Sequence, residues 1–195
     1  AKLIEELKAR GYRVATIKHA PHHMTFDQPD KDSWYHIRAG SEATAISSYD
    51  KLVLIKSVPE YITLDDIAPL FGEDYDIILT DGFKQDNAPK IEMHRREAGP
   101  PLSDVKKLIA IATDEPLETE TRQFSLDDTN GLADLIEEGF IKPQGERLSL
   151  YINDVAIALS AFPRELITNV LVAIASSLKG VEKVSSLKMF LRKRD

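Results

Sequence analysis

The chain has 195 residues, 43% of them hydrophobic and 29% charged, with 25 Lys+Arg against 32 Asp+Glu and no cysteine. The length suits one ordinary domain or one with a small appendage, and the apolar content supplies a core, which excludes intrinsic disorder. A net charge of -7 argues against a general nucleic-acid binder, and the absence of cysteine excludes disulfides and thiolate-bound metal. No apolar run reaches the roughly 18 residues a membrane span needs, and the charged opening is not a secretory signal, so the default is a cytoplasmic protein.

Leu3, Ile4 and Leu7 recur at helical spacing, and Gly11 suits the position just past a helix end. No Ser, Thr, Asp or Asn precedes Leu3 as a cap, so the helix reads as already under way at Ala1. Residues 12–17 are β-prone, and a polar loop with Pro21, Pro29 and Asp30 follows. Asp32-Ser33 suits the cap of a short helix over 34–39 closed by Gly40; residues 43–46 and 52–55 read as strands. Thr63 and Asp66 have capping-box spacing ahead of Ile67 and Leu70, and residues 75–80 form a near-continuous apolar strand.

Further strands are expected at 90–94 and 108–112, and Ser125-Leu126-Asp127-Asp128 opens a helix expected to run to about Phe140. Strands alternating with helices indicate an α/β sandwich. A Lys-Pro-Gln-Gly-Glu stretch within 141–147 reads as a linker. Beyond it, alternation through Ile152 and again from Val155 predicts a hairpin turning at Asn153-Asp154. A helix with Pro163 at its first position and a last strand through Leu187, Met189 and Leu191 complete a ββαβ module. The domains expected are therefore 1–147, with a net charge of -10, and 148–195, with +3.

In open α/β sheets ligands bind beyond the carboxyl ends of the strands, which singles out Lys18-His19, Asp81-Gly82 and Thr113-Asp114. Asp81 is placed to hold magnesium beside nucleotide phosphates, with Gly82 allowing close approach; a plain turn is the alternative. Lys18 and His19 suit phosphate, or else merely start a surface loop. Asp114 is placed to accept two hydrogen bonds from the N1–H and amino group of guanine, or else belongs to a turn before Pro116. His19, His22, His23 and His36, with Asp27, Asp30 and Asp32 among them, could supply zinc ligands, but their spacing matches no zinc signature. No G-x-x-x-x-G-K-[ST] phosphate loop occurs. The basic Arg192-Lys193-Arg194 suits a solvated terminus or an acidic partner.

Several of these segments occur together: residues 6–14, Thr16-Ile17-Lys18-His19, Lys31-Asp32-Ser33-Trp34 with His36, Ala39 and Gly40, residues 75–84 with Asp81-Gly82-Phe83-Lys84, and Pro89-Lys90-Ile91-Glu92. Their order and spacing through about residue 140 resemble the molybdopterin-guanine dinucleotide biosynthesis protein B family, MobB. The resemblance implies a fold similar to P-loop GTPases, with helices on both faces of the sheet, and binding of GTP with Mg2+. It also implies a homodimer assisting the guanylyltransferase that attaches GMP to molybdopterin, with slow hydrolysis at most. Asp81-Gly82 then matches the family's strand-end acidic-Gly pair and Lys18-His19 its Lys-His, with residues 21–31 lying over the phosphates. The family's first strand and phosphate loop have no counterpart in these residues, which reads as an N-terminally incomplete copy; the 148–195 module is an addition to the minimal pattern. The rival reading is a pseudo-P-loop adaptor or dimerisation scaffold that binds no nucleotide.

Overall fold

The computed structural model describes residues 1–20, 27–58, 62–72, 74–143, 148–153 and 155–191. The chain divides into two compact units, Ala1–Pro143 and Gln144–Asp195.

The first unit opens on α1, Lys2–Ala9, whose cap residue Ala1 offers no side-chain hydrogen bond. It ends as Gly11 predicts. With φ at +92°, Gly11 lets its own N–H donate to Lys8 O and the Tyr12 N–H donate to Leu7 O, so two terminal carbonyls are satisfied in a Schellman turn. The chain then enters β1, Val14–Lys18, and after α2, Asp32–Arg38, the strands β2, Ala43–Ser47, and β3, Leu52–Lys56, pair antiparallel. Asp32-Ser33 is not the cap of α2. Lys31 takes that place without a side-chain bond, and Ser33 Oγ instead donates to Asp27 Oδ1 at 2.9 Å.

The capping box at Thr63 forms with Asp66, but α3 is confined to Leu64–Ile67 and tightens into a 3₁₀ turn over Ala68–Phe71, where Pro69 lacks the N–H an α-helix needs. Then come β4, Ile77–Asp81, β5, Lys90–His94, β6, Leu108–Thr113, and β7, Gln123–Ser125. Ser125, expected to open the next helix, instead ends this short strand. Asp128 caps α4, Thr129–Ile136, by accepting from the Gly131 N–H, and a single π-helical turn, Glu137–Ile141, follows.

Two parallel sheets carry this unit: β1 with β4, and β5-β6-β7. Both rest on α1 and α4. Leu7, wholly buried, clusters with Ala133, Ile136 and Ile141, and Val14, Ile77, Leu79 and Ile91 pack on that cluster from β1, β4 and β5. Ala110, Ala112, Phe124 and Leu132 form the adjoining core. Arg10 fastens the helix pair, donating to Glu6 at 2.8 Å, Asp134 at 2.6 Å and Glu137 at 2.8 Å.

The second unit holds the expected hairpin, β8, Leu150–Ile152, and β9, Val155–Ile157, followed by α5, Ala161–Ser176. Its cap position is Ser160, so Pro163 is the third helical residue rather than the first. The module is corrected from ββαβ to ββα: residues 187–191 alternate but form no strand. Alternation makes a strand only where a partner edge supplies the ladder, and among the described residues no strand pairs with this segment.

Candidate functional site

The register of β1 on β4 sets Lys18 directly opposite Asp81 at the carboxyl ends of both strands. The Lys18 ammonium donates to Asp81 Oδ2 at 2.7 Å, and the His19 N–H carries the ladder one step further by donating to Asp81 O at 2.8 Å. The hydrogen bond and charge of Lys18 hold the Asp81 carboxyl below the usual carboxylate range, so it is ionised at neutral pH. Both side chains are about three-quarters exposed, which leaves them available to a ligand.

Gly82 is required by geometry. Its φ is +104°, and a Cβ placed on it would sit 2.8 Å from the His19 Cβ. Phe83 follows at φ +54°, and this reversal turns its ring onto the His19 imidazole at 4.6 Å between centroids. Four expected residues, Lys18, His19, Asp81 and Gly82, are therefore brought together. A basic residue, an imidazole and a carboxylate converge where two parallel strands release their last backbone groups.

Asp114 is not part of that group. It follows β6 in the other sheet, where its Oδ1 accepts from the Arg96 N–H at 2.9 Å. Beside it lies an open cavity of about 360 Å³ lined by Thr113, Asp114, Glu115, Pro116, Gln123, Phe124 and Ser125. Gln123 pins its rim by accepting from the Leu117 N–H and donating to Leu117 O.

The cluster that orders this rim escaped the sequence reading. Glu115 receives His94 Nε2 at 2.9 Å and Arg96 Nε at 2.7 Å, and these two partners keep its carboxyl well below the ordinary glutamate value. His94 is 4% exposed, so Glu115 is its main polar contact. Two strand positions earlier, Glu92 is also buried, with one oxygen accepting from the Leu102 N–H and the other without a partner. The available signal was the alternation of polar Lys90, Glu92 and His94 with apolar Ile91 and Met93, which puts Glu92 and His94 on one face.

Among the described residues no group of three or more His, Asp or Glu is gathered to hold a metal ion. His22, His23 and most of the 21–31 loop lie outside the described residues, as do Asp154 and the basic 192–194 tail. Magnesium is compatible with what remains, because this ion keeps most of its water and takes one or two carboxylates beside phosphate oxygens. A single ionised, exposed Asp81 next to a lysine suits that donor set.

Parallel strands with their polar groups at the carboxyl ends, resting on a shared helix layer, place the first unit in the class of α/β proteins built like P-loop NTPases. The family model for molybdopterin guanine dinucleotide synthesis protein B matches residues 1–114, and the chain belongs to the MobB family. It is similar to the molybdopterin-guanine dinucleotide biosynthesis adapter protein of Haemophilus influenzae, 37% identical over 138 residues that cover 70% of this chain and 78% of that protein. The protein of the same description from Escherichia coli is 34% identical over 150 residues, covering 74% and 86%. Among solved structures, a MobB homolog from Bacillus stearothermophilus matches 73% of this chain and 87% of its own with a TM-score of 0.53 at 26% identity. A molybdopterin-guanine biosynthesis protein B matches 70% and 87% with a TM-score of 0.56 at 25% identity.

Proposed function

We propose that this protein is a GTP-binding accessory factor of molybdenum cofactor biosynthesis that acts as a cytoplasmic homodimer and assists the enzyme attaching GMP to molybdopterin. The accessory role rests on the adapter proteins to which the chain is similar. Nucleotide binding rests on one observation: the Lys18–Asp81 pair at the aligned carboxyl ends of β1 and β4, beside His19 and the open backbone of Gly82.

In this reading Lys18 would leave Asp81 to neutralise a phosphate, and His19 would donate to a phosphate oxygen. Asp81, ionised and released, would hold magnesium, whose chemistry there would be to neutralise phosphate charge. Asp114 offers its remaining lone pairs to guanine at the rim set by Glu115 and Arg96. With Asp81 assigned to magnesium and His19 to phosphate, no further side chain among the described strand-end residues is left as a general base for water, which suits a binder with slow turnover at most. The first unit, residues 1–147 in the sequence division, is the nucleotide unit.

Calorimetry of the full-length protein with GTP, with and without magnesium, tests this against Asp81→Ala. The expected result is magnesium-dependent binding that weakens by about tenfold or more in the variant, the size of a lost charge-assisted contact. Equal affinity in both proteins removes Asp81 from the magnesium site. No binding in either favours the adaptor that takes no nucleotide.

A further inference from the structure

Lys2, Lys18 and Lys142 each bring their ammonium to a carboxylate, at 2.7, 2.7 and 2.9 Å. Lys90 uses its own differently. At the start of β5 and half-buried, its Nζ donates to three main-chain carbonyl oxygens: Asp86 O, Ala88 O at 3.0 Å and Lys106 O at 3.3 Å. An ammonium has three N–H donors, and all three are spent on neutral backbone. Carbonyls converging from two loops onto one positive charge are the surroundings of a dehydrated monovalent cation such as potassium. Here the cation is tethered to the chain and its occupancy is permanent.

The carbonyls it gathers lead to the strand-end site. Residues 82–89 connect β4 with β5, and they begin on Phe83, whose φ of +54° is one a bulky residue seldom adopts. Such a conformation persists only where its surroundings over-determine it. The Asp86 N–H donates to Phe83 O at 3.0 Å, and Asp86 Oδ1 accepts from the Ala88 N–H at 2.8 Å, so the turn is continuous from Phe83 to Ala88. Lys90 grips that turn by two carbonyls. Its other end is fixed at the entry to β6, where its N–H donates to Lys107 O at 2.9 Å and its ammonium reaches Lys106 O. We propose that Lys90 is a positioning residue for the strand-end site, its ammonium standing in for a bound monovalent cation and holding the 83–88 turn so that the Phe83 ring stays against His19, 4.6 Å between centroids. The placing of His19 needs no ligand; the consequence for GTP rests on the nucleotide site proposed above.

NMR of the histidine ring protons of the full chain, without nucleotide, reads the placing directly. His19→Gln assigns the His19 signals, and Phe83→Leu shows where they fall without the ring contact. Lys90→Ala is expected to move them toward the Phe83→Leu position. n-Propylammonium, which replaces the three carbons and the amine that the substitution removes, is expected to bring them back; tetramethylammonium, a charge without N–H, is not. Calorimetry with GTP and magnesium is expected to show Lys90→Ala binding about threefold to tenfold more weakly, as for a turn organised a third to a tenth of the time, and recovering with n-propylammonium. His19 signals unmoved in Lys90→Ala overturn the proposal, as does equal restoration by both ions or by neither. Lys90→Met keeps the alkyl stem and loses the donors, so it decides the matter if Lys90→Ala does not fold: parent-like His19 signals there also overturn it. Moved signals with unchanged GTP affinity overturn the link to the site. A parent that binds no GTP removes the nucleotide reading, while the His19 signals still decide the role of Lys90.

Discussion

Gly82→Ala probes the tightest point of the strand-end site. Two costs arise. An L-residue held at φ +104° is strained by about 1–3 kcal/mol. The new methyl also sits 2.8 Å from the His19 Cβ, well inside the roughly 3.5–4.0 Å at which carbons attract, and neither atom is the free end of a flexible chain. Relief requires the end of β1 to move against β4, which has the scale of a small overpacking defect, about 1–3 kcal/mol. The sum, about 2–6 kcal/mol, is a large part of an ordinary stability of about 5–15 kcal/mol. Trp34 is the only tryptophan and lies in the first unit, so its fluorescence during urea unfolding reports that unit. The midpoint should fall with an unchanged slope. Adding His19→Gly removes the close contact but not the backbone strain, so the double-mutant cycle should return about 1–3 kcal/mol of coupling. A Gly82→Ala variant within about 0.5 kcal/mol of the parent, or a cycle without coupling, refutes the reasoning.

Leu7→Ala empties a position with no exposed surface at the junction of both helices and three strands, and should cost about 2–5 kcal/mol in the same unfolding measurement. Glu115→Ala strips the buried His94 ring nitrogen of its acceptor and frees Arg96; a loss of about 1–3 kcal/mol is expected, together with a reduced preference for GTP over ATP measured by competition. The Glu137 carboxyl is drawn from 4.5 to about 2 by hydrogen bonds from Lys142, Arg10 and Tyr12. Because the folded value is the lower one, its stabilisation is complete above pH 4.5 and is lost as pH falls from there toward 2. Arg10→Ala should flatten that part of the stability–pH curve, and an unchanged slope in urea midpoints across the range would contradict the assignment.

Local features of the fold were legible because they depend on neighbouring residues. The Gly11 termination, the Thr63–Asp66 box and the apolar runs that became β1, β4 and β6 each follow from a few consecutive side chains. What escaped depends on distant partners. Lys18 and Asp81 were each marked by position at a strand end, but their contact exists only because β1 and β4 lie in register although the two residues are 63 positions apart. Glu115 carries no local signal, because His94 and Arg96 reach it from the neighbouring strand and the turn beyond. Residues 187–191 show the converse, since their alternation is as clean as that of β8 and yet no edge among the described residues receives them. Where α4 begins turned on a competition that sequence leaves undecided: residues 123–125 joined β6, and the helix waited for Asp128.

The Lys18–Asp81 pair has a consequence for how ligands arrive. An anion alone that captures the lysine strands a carboxylate, and a cation alone that captures the carboxylate strands an ammonium. A ligand carrying both signs exchanges one neutral couple for two, leaving no charge unmatched at any stage. In the proposed nucleotide site the pair would act as a lock with two wards, favouring a pre-formed metal–phosphate complex over either ion by itself, and each component should tighten the other's hold by the same factor.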